Sequence, residues 1–193
     1  MSDTSAASDP RPSFGPSALA TPANAVTLLR VLATPVLIAL IVAWRASWET
    51  MVIWGILSFT DGIDGWIARR QGTTRSGAFL DPLADKVVVL GALVALVAEH
   101  IVSWYPVALI AAREVWMSAY RSVMGRRGVS IPARRSAKLK TLAQDVAIGL
   151  CLIPPLADQR FVLATGIWVA TGLTLVTGVQ YMVDGRRASR SES

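Results

Sequence analysis

The chain has 193 residues, enough for one domain or two small ones, yet 53% of them are hydrophobic and only 17% charged, with a mean hydropathy of +0.48. Soluble domains carry roughly 25% charged residues, so a chain this short and apolar is excluded as a soluble globular protein and reads as a membrane protein. A single cysteine, Cys151, excludes an internal disulfide framework, and a single histidine, His100, excludes a multi-histidine metal site. Any metal must then be held by oxygen, the ligand of hard ions such as Mg²⁺, Mn²⁺ or Ca²⁺. The formal charge of +6 marks a cytoplasmic face in such a chain, and no nucleic-acid partner is expected.

Residues 1–20 are rich in Ser, Ala, Pro and Asp and read as a disordered N-terminal segment, with no basic region leading into an apolar one. From Val26 the pattern changes. A span needs about 20 mostly apolar residues. Six segments qualify, at roughly 26–44, 49–69, 83–103, 105–124, 139–157 and 161–183. The gaps between them are short and no internal repeat is present. The expectation is an all-α, polytopic, six-transmembrane-helix bundle over residues 21–185, followed by a cytoplasmic tail at 186–193.

Orientation follows from Lys and Arg. With the N-terminus inside, thirteen basic residues fall on inner segments and only Arg45 and Arg160 on outer ones. Arg30, Lys86, Arg113 and Arg121 fall within spans. This bias predicts that both termini are cytoplasmic. It also gathers Trp44, Trp48, Trp104 and Tyr105 at the outer boundary, where aromatic belts belong. Pro35 and the pair Pro154-Pro155 are expected to kink or end helices. Trp54 and Trp116 are expected to pack or face lipid. Lys86 is expected to snorkel or to pair with a carboxylate.

Charges inside spans are costly, so each one is a candidate for function. Asp61 and Asp64 lie near the inner end of the second span, and Asp81 and Asp85 at the start of the third. Spacings of three and four put each pair on one helix face. The short connection 70–80 lets the two helices be antiparallel neighbours. Four carboxylates would then converge at the cytoplasmic end, repelling one another unless divalent cations neutralise them. Two metals sharing such carboxylates can clamp a phosphoryl group during displacement. Gly65 and Ala68 are small enough for a ligand to approach the backbone, and Arg69 can pair with phosphate oxygens.

The string Asp61-Gly-Ile-Asp64-Gly65-Trp-Ile-Ala68-Arg69, then Gly77, Asp81 and Asp85, resembles the signature D-x-x-D-G-x-x-A-R, spacer, G-x-x-x-D-x-x-x-D of the CDP-alcohol phosphotransferase family. Eight fixed positions match by chance on the order of 10⁻¹⁰ per start, so the signal is specific. The segments from Pro22 to Arg30, Thr74 to Lys86, Ala112 to Glu114 and Lys138 to Gln144 resemble the members that use glycerol 3-phosphate as acceptor. Together they tie residues 22 to 144 into the resemblance.

The resemblance implies a transferase moving a phosphatidyl group from CDP-diacylglycerol to sn-glycerol 3-phosphate, with release of CMP. It implies two divalent cations, Mg²⁺ or Mn²⁺, with Asp61, Asp64 and Asp81 as ligands of one and Asp61, Asp81 and Asp85 of the other. Asp85 is also implied as the base that takes the hydroxyl proton. Gly65, Ala68, Arg69, Thr74 and Gly77 correspond to positions that contact the CDP part of the donor, and Asn24, Ala25, Val26 and Thr27 to a segment closing over the nucleotide. A homodimer of the bacterial cell membrane, with its active site on the cytoplasmic face, is also implied.

The acceptor carries a dianionic phosphate. Arg113 and Arg121, two turns apart on the fourth span, and Lys138 and Lys140, opening the fifth, are the candidates to bind it. The competing reading pairs Arg113 with Glu114 or Asp145 as structure, and leaves the lysines to the positive-inside bias. Arg126, Arg127, Arg134 and Arg135 are read as attraction to lipid headgroups. Another acceptor (inositol phosphate, serine or phosphatidylglycerol) keeps the same chemistry. A cation carrier is the rival from a different class, but no ionisable residues continue a route from the aspartates to the outer face.

Overall fold

The structure is a computed structural model that describes the backbone of residues 22–71, 77–126 and 135–191, and side chains over 27–60, 83–124 and 138–185. Six α-helices occupy the described residues: α1 (Pro22–Trp44), α2 (Trp48–Gln71), α3 (Gly77–Ala98), α4 (Trp104–Arg126), α5 (Arg135–Leu152) and α6 (Arg160–Ser191). A 3₁₀ turn at Pro154–Leu156 joins the last two. No strand occurs among the described residues.

The ends of α1 and α3 are built from the same device. Arg45 and His100 take positive φ, 54° and 57°. At α1 the Arg45 N–H returns to the Ile41 carbonyl at 2.9 Å, the single bond of an αL cap. At α3 the His100 N–H reaches the Val97 carbonyl at 3.0 Å and the Ile101 N–H the Leu96 carbonyl at 2.9 Å, a Schellman motif. The two caps meet: Arg45 donates from Nε to Glu99 Oε2 and from Nη2 to the Glu99 carbonyl, both at 3.0 Å. Ser47 then starts α2, its hydroxyl accepting the Thr50 N–H at 3.1 Å. The C-termini of α1 and α3 and the N-terminus of α2 therefore share one end of the bundle, and α2 runs antiparallel to α3.

Packing joins α1 to α3 and α2, α5 to α6, α2 and α3, and α4 to α6 and α3. The core holds Leu37, Ile41, Leu93, Leu96, Ile110, Ile148, Leu152 and Ile167, all fully or almost fully buried. The outside is apolar as well. Leu28, Leu29, Leu32 and Val36 on α1, Phe59 on α2 and Val169 on α6 are all more than half exposed. Meanwhile Thr27, Arg30, Thr34, Glu114, Lys140, Gln144, Thr171 and Thr174 are buried. Apolar side chains outward and polar ones inward is the pattern of a bundle whose surroundings are hydrocarbon. By length and composition two of the described helices can cross a membrane, over Thr27–Trp44 and Arg160–Gly185. Other helices carry ionisable residues within their length: Asp61, Asp64 and Arg69 on α2, Asp81, Asp85 and Lys86 on α3, Arg113, Glu114 and Arg121 on α4, and Lys138, Lys140 and Asp145 on α5.

Helix limits depart from the apolar segments in ways the chemistry explains. The third helix begins at Gly77, not 83, since the aspartates and Pro82 fall in its first turns, and it stops at Ala98 because His100 turns left-handed. The fifth ends at Leu152 ahead of Pro154 and Pro155, which form the 3₁₀ turn. The sixth continues to Ser191, so the segment read as a tail extends α6 through residue 191. Pro35 lies inside α1, and the Thr34 hydroxyl donates to the Arg30 carbonyl at 2.9 Å in that turn.

A non-glycine residue in the left-handed region costs roughly 1–2 kcal/mol. Part of that returns on glycine substitution, offset by glycine's chain entropy. His100→Gly is therefore expected to stabilise the protein by about 0.5–1 kcal/mol, read as a raised midpoint in thermal unfolding in detergent.

Candidate active site

About midway along the bundle, four helices frame a narrow cleft. It is lined by Arg30 of α1, Trp54, Leu57 and Ser58 of α2, Asp85, Val88 and Val89 of α3, and Asp145 of α5. Asp85 is half-buried there, and Arg30 is only 3% exposed. The Trp54 indole N–H donates to the Asp145 carbonyl at 3.1 Å, tying α2 to α5 across the cleft. The Ser58 hydroxyl is buried and has no hydrogen-bond partner among the described residues.

Helical register extends the cleft. Position 61 follows Leu57 by four and Ser58 by three, so it lies one turn further along the same strip of α2. Position 81 precedes Asp85 by four, one turn back along the same strip of α3. The side chains of Asp61, Asp64 and Asp81 lie outside the described residues. Among the described residues no three acidic, histidine or cysteine side chains gather as a metal site. The donors that are described fit a hard divalent cation: the Asp85 carboxylate and the unpartnered Ser58 hydroxyl offer oxygen, and neither His100 nor Cys151 lines the cleft.

A second constellation of buried polar groups joins α3, α4, α5 and α6. Glu114, 6% exposed, is its hub. Glu114 Oε1 accepts from Arg113 Nη1 at 3.0 Å and from the Lys140 ammonium. Arg113 Nη2 donates to Thr177 Oγ1 at 3.3 Å. That hydroxyl donates in turn to backbone carbonyls of α6 at 2.8 and 3.0 Å. Gln144 donates to Thr174 Oγ1 at 2.8 Å. The Glu114 carbonyl accepts the Ser118 hydroxyl at 2.8 Å, and Lys86 donates to that same hydroxyl. Gly178 lets α6 come close to Arg113: a Cβ at that position would stand 3.0 Å from Arg113 Nε.

Of the four cations expected at the acceptor phosphate, Arg113 and Lys140 are brought together, through Glu114. Lys138 is exposed, on a different face of α5 from buried Lys140. Arg121 is exposed and sits over the Tyr181 ring of α6, 5.8 Å from its centroid, facing the same helix as Arg113. Thr27 is buried on α1. The side chains of Asn24, Ala25, Val26, Gly65, Ala68, Arg69 and Gly77, and all of Thr74, lie outside the described residues. Residues that sequence reasoning did not place in the site are Arg30, Ser58, Asp145, Thr177 and Gly178. Their signal was the presence of polar or small groups within apolar spans. Trp54 is buried packing, whereas Trp116 is 61% exposed. Lys86 meets a hydroxyl on α4.

Removing one partner of a buried charge pair costs about 3–5 kcal/mol, because the remaining charge is left without compensation. Glu114→Ala strands both Arg113 and Lys140, so a loss of that size is expected in thermal unfolding of detergent-solubilised protein, with a smaller loss for Glu114→Gln.

Residues 20–185 match the sequence profile of the CDP-alcohol phosphatidyltransferase family. A Mycobacterium tuberculosis protein named probable phosphatidylglycerophosphate synthase is 38% identical over 179 residues, covering 90% of this chain and 85% of its own length. A Pseudomonas fluorescens CDP-diacylglycerol–glycerol-3-phosphate 3-phosphatidyltransferase is 40% identical over 170 residues, covering 82% of this chain and 87% of its own. A Salmonella choleraesuis protein of that name is 39% identical over 170 residues, covering 83% and 92%. With the aspartate-bearing positions of α2 and α3 on neighbouring strips beside the cleft, the chain belongs to the CDP-alcohol phosphatidyltransferase family.

Proposed function

We propose that the chain is an integral-membrane transferase that moves the phosphatidyl group from CDP-diacylglycerol to sn-glycerol 3-phosphate, releasing CMP and forming phosphatidylglycerophosphate. The observation that carries the reading is Asp85, half-buried on a cleft whose α2 wall continues one turn later at Asp61, in a chain of this family. Relatives at 38–40% identity bear names for this reaction.

The proposed protein spans the bilayer six times with both termini cytoplasmic and works as a homodimer in a bacterial cell membrane. Antiparallel α2 and α3, the joined caps of α1 and α3, and the basic residues of the connecting segments support the layout. Resemblance to the family supports the dimer.

In the reaction, an oxygen–phosphorus bond forms between the acceptor hydroxyl and the β-phosphorus of the donor, and the bond from that phosphorus to the CMP oxygen breaks. Asp85 accepts the hydroxyl proton on its carboxylate. Arg69, with Gly65, Ala68, Thr74 and Gly77, holds the donor pyrophosphate, and Asn24 to Thr27 cover the nucleotide. Arg113 and Lys140, held by Glu114, offset the acceptor phosphate, while Lys138, on another face of α5, and Arg121, over the Tyr181 ring, are set apart from that pair. Two divalent cations, Mg²⁺ or Mn²⁺, would be held by Asp61, Asp64, Asp81 and Asp85 and would supply neutralisation of the pyrophosphate charge when bound.

The direct test is a screen of radiolabelled acceptors with purified protein, CDP-diacylglycerol and Mg²⁺. Label is expected in a phospholipid product with glycerol 3-phosphate, and turnover is expected to vanish in excess EDTA and return with Mg²⁺ or Mn²⁺. Product with inositol phosphate or serine alone would reassign the acceptor, and full turnover in chelator would remove the metal.

Asp85→Asn separates chemistry from binding. The amide keeps an oxygen but cannot take the proton. Turnover is expected to be abolished while CMP affinity by calorimetry stays within about tenfold, or ~1.4 kcal/mol. Substantial turnover in this variant places the base elsewhere.

A further inference from the structure

The buried cluster around Glu114 does not balance the acceptor as it stands. Arg113 and Lys140 both bind Glu114 Oε1, so the three groups together carry a single positive charge. Arg121 lies over the Tyr181 ring and Lys138 on another face of α5. A phosphate monoester arrives as a dianion. Held by the Arg113–Glu114–Lys140 trio alone, it is one positive charge short, and an uncompensated charge is strongly disfavoured in a buried place.

Lys86 stands beside this cluster and has no part in the reaction described above. It is half-buried on α3, the residue after Asp85. Its ammonium donates to Ser118 Oγ of α4, and Ser118 gives its own proton to the Glu114 carbonyl at 2.8 Å. That hydroxyl therefore meets Lys86 as an acceptor and aims the ammonium at the turn of α4 that carries Glu114. An ammonium has three protons, so two remain for another partner. Lys86 makes no ion pair among the described residues. Glu114, Arg121, Lys140 and Asp85 are charged groups that act on it. Asp145 lines the cleft with Arg30 and Asp85, on a different face of α3 from Ser118. Asp184 belongs to α6, three residues past Tyr181. Within the hydrogen-bonded cluster, then, three cations meet one carboxylate, and the excess equals the charge of the dianion.

The register of α3 adds direction. Consecutive helical residues point about 100° apart. Asp85 lines the cleft against α2 and α5, and Lys86 reaches α4. The acceptor is divided in the same way, with the attacking hydroxyl and the phosphate at opposite ends of its carbon chain.

We propose that Lys86 is a further acceptor-binding residue: its ammonium takes an oxygen of the acceptor phosphate beside Lys140 and Arg113, and so turns the hydroxyl end toward Asp85. The inference rests on the reaction proposed above and adds the residue that balances the acceptor's second charge.

The test is steady-state kinetics on purified, monodisperse full-length protein, with glycerol 3-phosphate and CDP-diacylglycerol varied in turn. Lys86→Met keeps the stem and removes the charge. It is expected to raise KM for glycerol 3-phosphate by about 10- to 100-fold, the scale of one charge-assisted contact, and far more than KM for CDP-diacylglycerol. Lys86→Arg is expected to keep most of the acceptor affinity. Ser118→Ala leaves the charge and removes its anchor, so a smaller rise in the same constant is expected, and this variant carries the test if Lys86→Met does not fold. An unchanged KM for glycerol 3-phosphate in the variants overturns the proposal. So does a rise shared equally by both substrates, which makes Lys86 structural. Wild-type protein that turns over no phosphate-bearing acceptor overturns the reaction and the proposal together, and that result is distinct because it needs no variant.

Discussion

A charge inside a bundle surrounded by hydrocarbon must find an opposite charge or a dipole within reach, because the alternative costs several kcal/mol per ion. Here that constraint falls on one carboxylate oxygen. Glu114 Oε1 receives both Arg113 and Lys140, and hydrogen bonds from those groups and their neighbours bring in α3 and α6. Helices α4, α5 and α6 are thus tied by polar partners as well as by packing. Threonines complete the network on α6, where Thr174 and Thr177 each meet a long side chain from another helix while Thr177 also bonds its own backbone. The close approach at Gly178 belongs to the same solution, because a larger residue would push on the Arg113 stem.

The opposite face of that constraint is the exterior. The exposed leucines and valines of α1 need no protein partner when lipid surrounds them, and the polar groups turn inward to one another. The chain ends of α1 and α3 stop sharply at one end of the bundle. They do so with left-handed caps and an arginine–glutamate pair, in place of glycine.

Six apolar segments were legible in the sequence because an apolar run near 20 residues long matches the thickness of a bilayer's hydrocarbon core when wound as a helix, and the observed helices overlap all six. Their limits were less legible. Hydropathy falls at Asp81 and Asp85 while the helix α3 includes them both, with Pro82 between them leaving one rung of the ladder without a donor, and it gives no warning of the positive φ at His100. The aspartate signature was readable because its spacing of three and four is helical register itself. The cation cluster was readable only as a set of separate charges. Neighbouring residues on a helix do not normally face each other, so the Arg113–Glu114 pair depends on a long arginine stem bending back, and Lys140 joins it only because α5 packs where it does. The Trp54 bond to a backbone carbonyl of α5 has no sequence signal at all, since any residue carries that acceptor.

That last bond has a mechanical consequence. Trp54 locks α2, which carries Asp61 and Asp64, onto α5, which carries Lys140. The bond ties the two helices at one point along their length, with an indole ring between them. In the proposed reaction one side of the gap between them serves the hydroxyl under attack and the other serves the acceptor's phosphate. With the helices tied there, the length of the alcohol between its two ends becomes part of what the proposed reaction selects.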